Sequence, residues 1–301
     1  MSFEVDTALV NSYRSNLEIQ FQQKGSRLRP FVRVESQNSE FDFHDRIGPV
    51  EAVEVENRHS DTPLISTPHD RRRVGLRDFD WADLIDRKDR LRMLADPTSP
   101  YTINAVYALG RKMDRIIVQA AFGTAYAGKE GSQSIDFPGG QQIAHNYVES
   151  GSAAASNLTV GKLRRIRTMF DLEEAVDYDA GEDLTLAVTA HQIQSLLRTT
   201  EVTSSDFNVI KALVNGEVDQ FMGIRFVRLH PSLLPKAGNN RSCLAWARQG
   251  LLLSIADDIM VDVGPRRDKR NSVQIYVCAS FGSSRMWEEK VIRVLCDETV
   301  I

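Results

Sequence analysis

Residues 99–123, SPYTINAVYALGRKMDRIIVQAAFG, decide how the rest of the chain is read. Ser99 can cap a helix whose first position is Pro100, where the missing N–H costs nothing. Val106, Leu109, Met113, Ile116, Ile117 and Ala120 then recur at helical spacing to form one apolar stripe, and Gly123 ends the run. At 1.5 Å per residue some 23 residues span roughly 35 Å, the full width of a small domain. A helix of that length is a spine on which other elements are laid.

The flanks of the spine are charged. Just upstream, FDWADLIDRKDRLRML (79–94) also reads at helical period, with Trp81, Leu84, Ile85, Leu91 and Leu94 on one face and Asp83, Asp86, Arg87 and Arg90 on the other. The spacings Asp83 to Arg87 and Asp86 to Arg90 are i,i+4 with the acid first, the favourable order. Further upstream, PVEAVEVENR (49–58) and HDRRRVGL (69–76) are extended segments joined by the proline-containing loop SDTPLISTP. Folded back about residue 64, they set Glu56 opposite Arg72 and Glu54 opposite Val74, so that Glu51, Glu54 and Glu56 face Arg71, Arg72 and Arg73. Such a hairpin has little apolar content and is marginal alone, so it must lean on something else, plausibly another subunit.

At the N-terminus, residues 6–24 read as a helix capped by Asp6 and stopped by Gly25, with the narrow stripe Val10, Tyr13, Leu17 and Phe21. That stripe suits an arm laid on a neighbour better than a core element. Residues 1–34 carry five bases (Arg14, Lys24, Arg27, Arg29, Arg33) against three acids (Glu4, Asp6, Glu18). Downstream of the spine, residues 124–157 are rich in Gly, Ser and Gln and read as loop and short strands. A helix (LTVGKLRRIRTMFDLEEA), a buried strand (DLTLAV), two further helices (TAHQIQSLL, SSDFNVIKALVNG) and the strand MGIRFVRL follow. Long strands close the chain (IMVDV, SVQIYVCASF, VIRVLCDE), with the basic turn GPRRDKRN between the first two. The fold class is α+β.

Composition excludes several functions. The 301 residues are 42% hydrophobic and 26% charged, enough for one large domain or two small ones. With 37 Lys and Arg against 41 Asp and Glu, the net charge of −4 makes no global field for nucleic acid, so any polyanion contact is local. Three cysteines, Cys243, Cys278 and Cys296, make neither a CxxC pair nor a disulfide framework. There is no signal peptide, no membrane-length apolar run and no solenoid repeat, which points to a soluble intracellular product.

No motif carries catalysis. GTAYAGKEG (123–131) misses the phosphate-binding loop pattern by one residue, Glu130, and it has a helix before it and a loop after it, the reverse of what phosphate binding needs. Asp78, Asp80, Asp83, Asp86 and Asp89 resemble a hard-cation cluster, but Arg77, Arg87 and Arg90 interleave with them and favour ion pairing. The six histidines show no metal spacing, Glu173 and Glu174 are a solvated helix pair rather than a glycosidase couple, and no nucleophile is framed. The turn Arg266, Arg267, Lys269, Arg270 is the strongest basic cluster, but it lacks interleaved aromatics for base stacking. The expectation is a protein with no catalytic residues, no cofactor and no metal.

The order of arm, charged hairpin, acidic segment, spine, α/β middle and terminal long strands resembles the major capsid proteins of tailed bacteriophages, with the Hong Kong 97-type fold. The stretches QQKGSRLRP, SDTPLISTPHDRRRV, DWADLIDRKDRLRMLADPTSPY, ALGRKMDRIIVQAAFGTAYAG and VTSSDFNVIKALVNGEVDQFMGIRFVR are similar to one capsid family of podovirus-type and related phages. The resemblance implies an N-terminal arm (1–40), an extended loop (41–80), a peripheral domain with the spine (81–157), an axial domain (158–260) and a return to the peripheral domain (261–301). It implies hexamers and pentamers closing into an icosahedral head around double-stranded DNA, with a portal protein and a virion location after assembly in the host cytoplasm. It places Glu51, Glu54, Glu56, Arg71, Arg72, Arg73, Asp83, Asp86, Arg87 and Arg90 in a charge mesh within and between subunits, and Arg14, Lys24, Arg27 and Arg29 at the inner wall. The family's founding member joins subunits through a loop lysine, yet no lysine stands between Lys24 and Lys88, so contacts here are expected to be noncovalent or aided by a cement protein. No long scaffolding segment precedes the arm, so a separate scaffolding protein is the implied partner. An encapsulin-like compartment shell shares the fold and is the rival within it; a metal- or nucleotide-dependent enzyme using the Asp cluster or Lys129 is the rival outside it.

Overall fold

The computed structural model describes residues 22–54, 64–86, 98–149, 151–176, 182–199 and 220–300. The expected helix at 204–216, and nearly all of the one at 6–24, lie outside these residues.

The spine forms as its stripe predicts. Helix α1, Thr98–Phe122, starts two residues before Pro100, which falls in the first turn where its missing N–H is harmless. Leu109, Met113, Ile116 and Ile117 of the stripe are buried, together with Ala105, Val118 and Ala121. They lie across β13 (Leu251–Arg266) and β14 (Ser272–Arg285), two long antiparallel strands. Strand β1 (Arg33–Ser36) runs parallel to the start of β13, and β4 (Arg77–Ile85) pairs with the whole length of β14, which gives the sheet order β1-β13-β14-β4.

Strand β4 corrects the helix expected over 79–94. Phe79, Trp81, Asp83 and Ile85 turn toward the spine while Asp78, Asp80, Ala82 and Leu84 turn out, a period of two obscured by the acid at the third inward position. The chance spacing of Trp81, Leu84 and Ile85 imitates a helix, but pairing with the 14-residue β14 overrides it. Phe79 stacks on Phe281 at 4.7 Å, while outward Asp78 and Asp80 accept the hydroxyls of Ser280 at 2.6 Å and Tyr276 at 2.9 Å. These acids are cross-strand partners, and donating to Asp80 pushes the Tyr276 phenol up to about 12. Because Asp83 is on a strand, its expected i,i+4 pair with Arg87 is not a helical one; Arg87, Asp89 and Arg90 lie outside the described residues.

A second sheet of seven strands takes the α/β middle and the C-terminus: β7 (Gln142–Ile143), β15 (Val291–Asp297), β12 (Asn240–Ala247), β8 (Leu184–Val188), β10 (Ile224–Arg228) and β9 (Gln220–Phe221) in that order, with β11 (Lys236–Ala237) beside β12. Every residue of β8 is buried, as its unbroken apolar run predicts. Helix α2, Val160–Leu172, is capped by the Thr159 hydroxyl and buries Leu163, Ile166, Met169 and Phe170; α3, Ala190–Thr199, buries Ile193 and Leu196. On α2 the fully buried Lys162 ammonium donates to the carbonyls of His145 (3.1 Å), Ser156 (2.7 Å) and Leu295 (2.9 Å), one acceptor for each of its protons. The chain passes to the spine sheet at Leu251 and back at Val291. The expected unit 261–301 is therefore split between two sheets, because β15 finds its partner in β12 rather than in β14.

The third sheet, β2-β3-β5-β6, is the charged hairpin and its footing. Strand β2 (Phe41–Ile47) pairs with β3 (His69–Gly75), which continues to β5 (Ala125–Ala127) and β6 (Gln133–Ile135). Gly123–Gly131, the near-match to a phosphate loop, leads into β5 and its turn to β6, with Gly128 and Gly131 at positive φ and Lys129 exposed. It is hairpin geometry, with no helix N-terminus to meet a phosphate.

Glu298, just past β15, ties the C-terminus to β11 and β12. Burial would raise its carboxyl, but hydrogen bonds from Arg241, Lys236 and Gln192 outweigh that and hold it down to about 2. A carboxylate depressed from 4.5 contributes stability that is complete above that pH and lost as pH falls toward 2. We expect this group to account for up to ~3 kcal/mol of acid-side loss. Glu298→Gln should flatten the fall in melting temperature between about pH 5 and pH 2.5; a variant profile parallel to the wild type would remove Glu298 from that role.

Candidate assembly interface

The hairpin is set on the body of the protein by a cluster of arginines around one acid. Alternation along β3 sends Arg72 inward, fully buried, and Arg71 and Arg73 outward. Arg72 pairs with Glu288, which also receives Arg46 from β2 at 3.4 Å and Arg285 from β14 at 3.5 Å. Arg46 further pairs with Asp70, donates to the Met286 carbonyl and lies 4.7 Å over the Trp287 ring. Burial pulls the Arg72 and Arg285 guanidinia below their usual range, with Glu288 opposing it in each case.

Arg285 does a second job. Its guanidinium donates to the carbonyls of Ala121 (2.9 Å), Gly123 (2.8 Å) and Ile135 (3.1 Å), so it closes the C-terminal end of α1. Arg293 adds a bond to the Phe122 carbonyl at 3.3 Å while stacking over Phe122 and Phe137, each at 4.6 Å. Two cations at the negative end of a 25-residue helix satisfy its orphan carbonyls and its dipole together. Root of hairpin, end of spine and end of β14 thus share one charge cluster. At the same place Gly282 and Gly75 meet so closely that a Cβ on Gly282 would lie 2.1 Å from the Gly75 carbonyl oxygen.

The register of the hairpin corrects the expected one. Asp45 stands opposite Arg71 and His44 opposite Arg72, so β2 begins at Phe41 and not near Pro49. Arg71 pairs with Asp45 at 2.6 Å on the surface, and Arg73 lies between the rings of Phe41 (5.0 Å) and Tyr126 (4.8 Å). Glu51 and Glu54 are exposed beyond the ladder and meet none of the three arginines; Glu56 lies outside the described residues. The shifted pairing wins because it buries Arg72 and Val74 against the body, which the 49–58 register does not supply. Asp83 is half-buried on β4, Asp86 is exposed after it, and neither belongs to the arginine cluster.

The candidate inner-wall bases separate in the same way. Arg14 lies outside the described residues, while residues 22–36 form a strap bound to their own chain. Asp114, fully buried on α1, accepts from the backbone N–H groups of Arg27 and Leu28 (both 3.1 Å), the Ser26 hydroxyl (2.5 Å) and the Gln23 amide. One turn earlier the strap crosses Gly110, where a Cβ would stand 2.5 Å from Gly25. Trp246, fully buried on β12, donates its indole N–H to the Phe31 carbonyl at 2.9 Å. Arg29 makes a two-pronged pair with Asp258 (2.8 and 3.0 Å) and Arg27 reaches the Arg228 carbonyl at 2.5 Å, whereas Lys24 is exposed. Among the described residues no group of three His, Cys, Asp or Glu is placed to hold a metal, and no helix is long and apolar enough to cross a membrane.

A buried charge cluster at the root of a projecting hairpin, a strapped spine and no assembled chemistry describe a building block. Comparison with known proteins agrees. Solved structures with the same fold include the capsid of cyanophage P-SCSP1u (16% identity, TM-score 0.70, 95% of this chain and 92% of that one). The capsid of Ralstonia phage GP4 matches at 12% identity and TM-score 0.71 over 95% and 94%. The head structure of Helicobacter pylori bacteriophage KHP40 matches at 9% and 0.68 over 96% of each chain. No curated protein matches the sequence. A family model described as phage capsid protein matches residues 5–298, and the chain accordingly belongs to the phage capsid protein family.

Proposed function

We infer that the chain is the major capsid protein of a tailed-phage head, a structural protein with the Hong Kong 97-type fold that acts through self-assembly. Hexamers and pentamers close an icosahedral shell around double-stranded DNA. The observation that carries this reading is the hairpin: β2 and β3 leave the body with Ile47 60% exposed and continue to Val50, Val53 and Leu64, which are 52%, 56% and 99% exposed. Apolar side chains this open at the end of a charged stalk are an interface waiting for its partner. A second subunit is the partner that a shell provides, with residues 41–80 as the extended loop, the spine and its sheet as the peripheral part and the seven-stranded sheet as the axial part.

A separate scaffolding protein sets shell size, a portal protein takes one vertex, and noncovalent contacts or a cement protein hold the finished head. Assembly takes place in the host cytoplasm. Of the four candidate inner-wall bases, exposed Lys24 is the one best placed to meet DNA, since Arg27 and Arg29 are engaged within the chain. Electron microscopy and sedimentation of the purified protein test the reading: regular shells or capsomers are expected, and a discrete monomer at high concentration would sink it. DNA rather than an enzyme inside the particles separates a phage head from a compartment shell.

A further inference from the structure

A cavity of about 470 Å³ opens at the root of the hairpin, between β2–β3, the C-terminal half of α1 and β14. Arg73, Arg77, Gln119 and Ser283 form its polar lining, and Phe41 and Ile116 its apolar part. Arg73 is held in place by the Phe41 and Tyr126 rings and backed by Gly131, while Arg77 is exposed. Neither pairs with a carboxylate among the described residues. The nearest acid, Asp136, accepts the Thr124 hydroxyl at 2.6 Å beside the rim. The site is cationic, partly apolar and preformed.

The complementary surface lies at the other end of the same hairpin. Residues 48–54, GPVEAVE, contain two acids and no base, and Val50, Glu51, Val53 and Glu54 are all exposed. The seven residues of β3 separate the two sites by roughly 20 Å, so a chain's own cavity lies at the opposite end of its stalk. We propose that the cavity receives residues 49–54 of a second copy of this chain, with Glu51 and Glu54 taken up by Arg73 and Arg77 and Val50 and Val53 set against Phe41 and Ile116. Resting on the shell reading, this makes the contact head-to-tail: the end of each hairpin enters the root of the next. A heterologous contact of that kind generates rings when its rotation closes, which is what a capsomer is. Paired charges flanking apolar contacts fix the register of the segment, and a like charge at the site repels it.

The test uses the full-length chain carrying Glu54→Cys and Arg77→Cys, assembled and treated with a short bismaleimide; native Cys243 and Cys296 are buried. Denaturing gels are expected to show a ladder of joined subunits from assembled particles and monomer from unassembled protein. Monomers linked only internally, products that stop at the dimer, or intact shells without links would each overturn the proposal. Should the Arg77 variant not assemble, Gln119→Cys replaces it. In a second arm, Arg77→Glu is expected to cut shell yield by about tenfold or more, and adding Glu51→Lys with Glu54→Lys to restore it; restoration failing while the single variant folds counts against the docking. Absence of shells from the wild-type chain would instead remove the shell reading itself, so the two failures are distinguishable.

Discussion

Replacing Glu288 with alanine is expected to destabilise the subunit by roughly 3–5 kcal/mol, because the substitution leaves buried arginines without their shared counter-ion. Three cations, Arg46, Arg72 and Arg285, converge on this carboxylate, and Asp70 is the other acid in the cluster. Without Glu288 the cluster holds three positive charges against one negative. Arg72→Met removes a buried charge and leaves the remaining two arginines matched by two acids, so it is expected to cost distinctly less than Glu288→Ala although its side chain is the larger and the more buried. Urea unfolding of unassembled subunits measures both. If the arginine variant is the more damaged of the two, packing and not charge balance holds the root together.

Asp114→Ala is the second large effect, again about 3–5 kcal/mol, and it arises from donors rather than from charge. Two backbone N–H groups, one hydroxyl and one amide lose their acceptor at once. The backbone of Leu28 is fully buried and has no water to turn to. The strap from Gln22 to Ser36 is expected to loosen as a unit, giving faster amide exchange at Arg27 and Leu28 and tryptic cleavage after Lys24 or Arg27. Gly110→Ala works on the same contact with the carboxylate intact, since the new methyl stands 2.5 Å from the Gly25 backbone, and it should reproduce the cleavage. Unchanged exchange at Leu28 in Asp114→Ala would show that Trp246 and β1 hold the strap without the spine.

The parts of this fold that were legible in the sequence are those whose apolar pattern has one period and one partner face. The spine stripe, the wholly buried β8 and the long C-terminal strands are of that kind. Strand β4 was not, because Asp83 occupies an inward position and breaks the alternation that Phe79, Trp81 and Ile85 set up. The hairpin register was also misread, since glutamates and aspartates both offered partners for the arginines and the deciding contact, Arg72 with Glu288, spans 216 residues. Asp114 did leave a signal. It sits beside Met113, four residues after Gly110 and three before Ile117, an acid on the apolar face of the spine, where only a ring of donors would permit it.

The shared cluster at Glu288 also fixes how the hairpin transmits movement. Its root is clamped to the end of the spine through Arg285 and to the body through Arg46 and Arg72, so the two strands tilt about that point as a lever about a fulcrum. Six residues separate His69 from Gly75, roughly 20 Å of lever arm, over which a tilt of about 3° moves the far end by about 1 Å. Small differences in angle between neighbouring subunits are therefore amplified at Val50 and Val53, where side chains are open enough to take them up. Curvature of the shell is in this sense geared: a stiff pivot inside each subunit converts slight rotations into ångström-scale travel at the contact with the next.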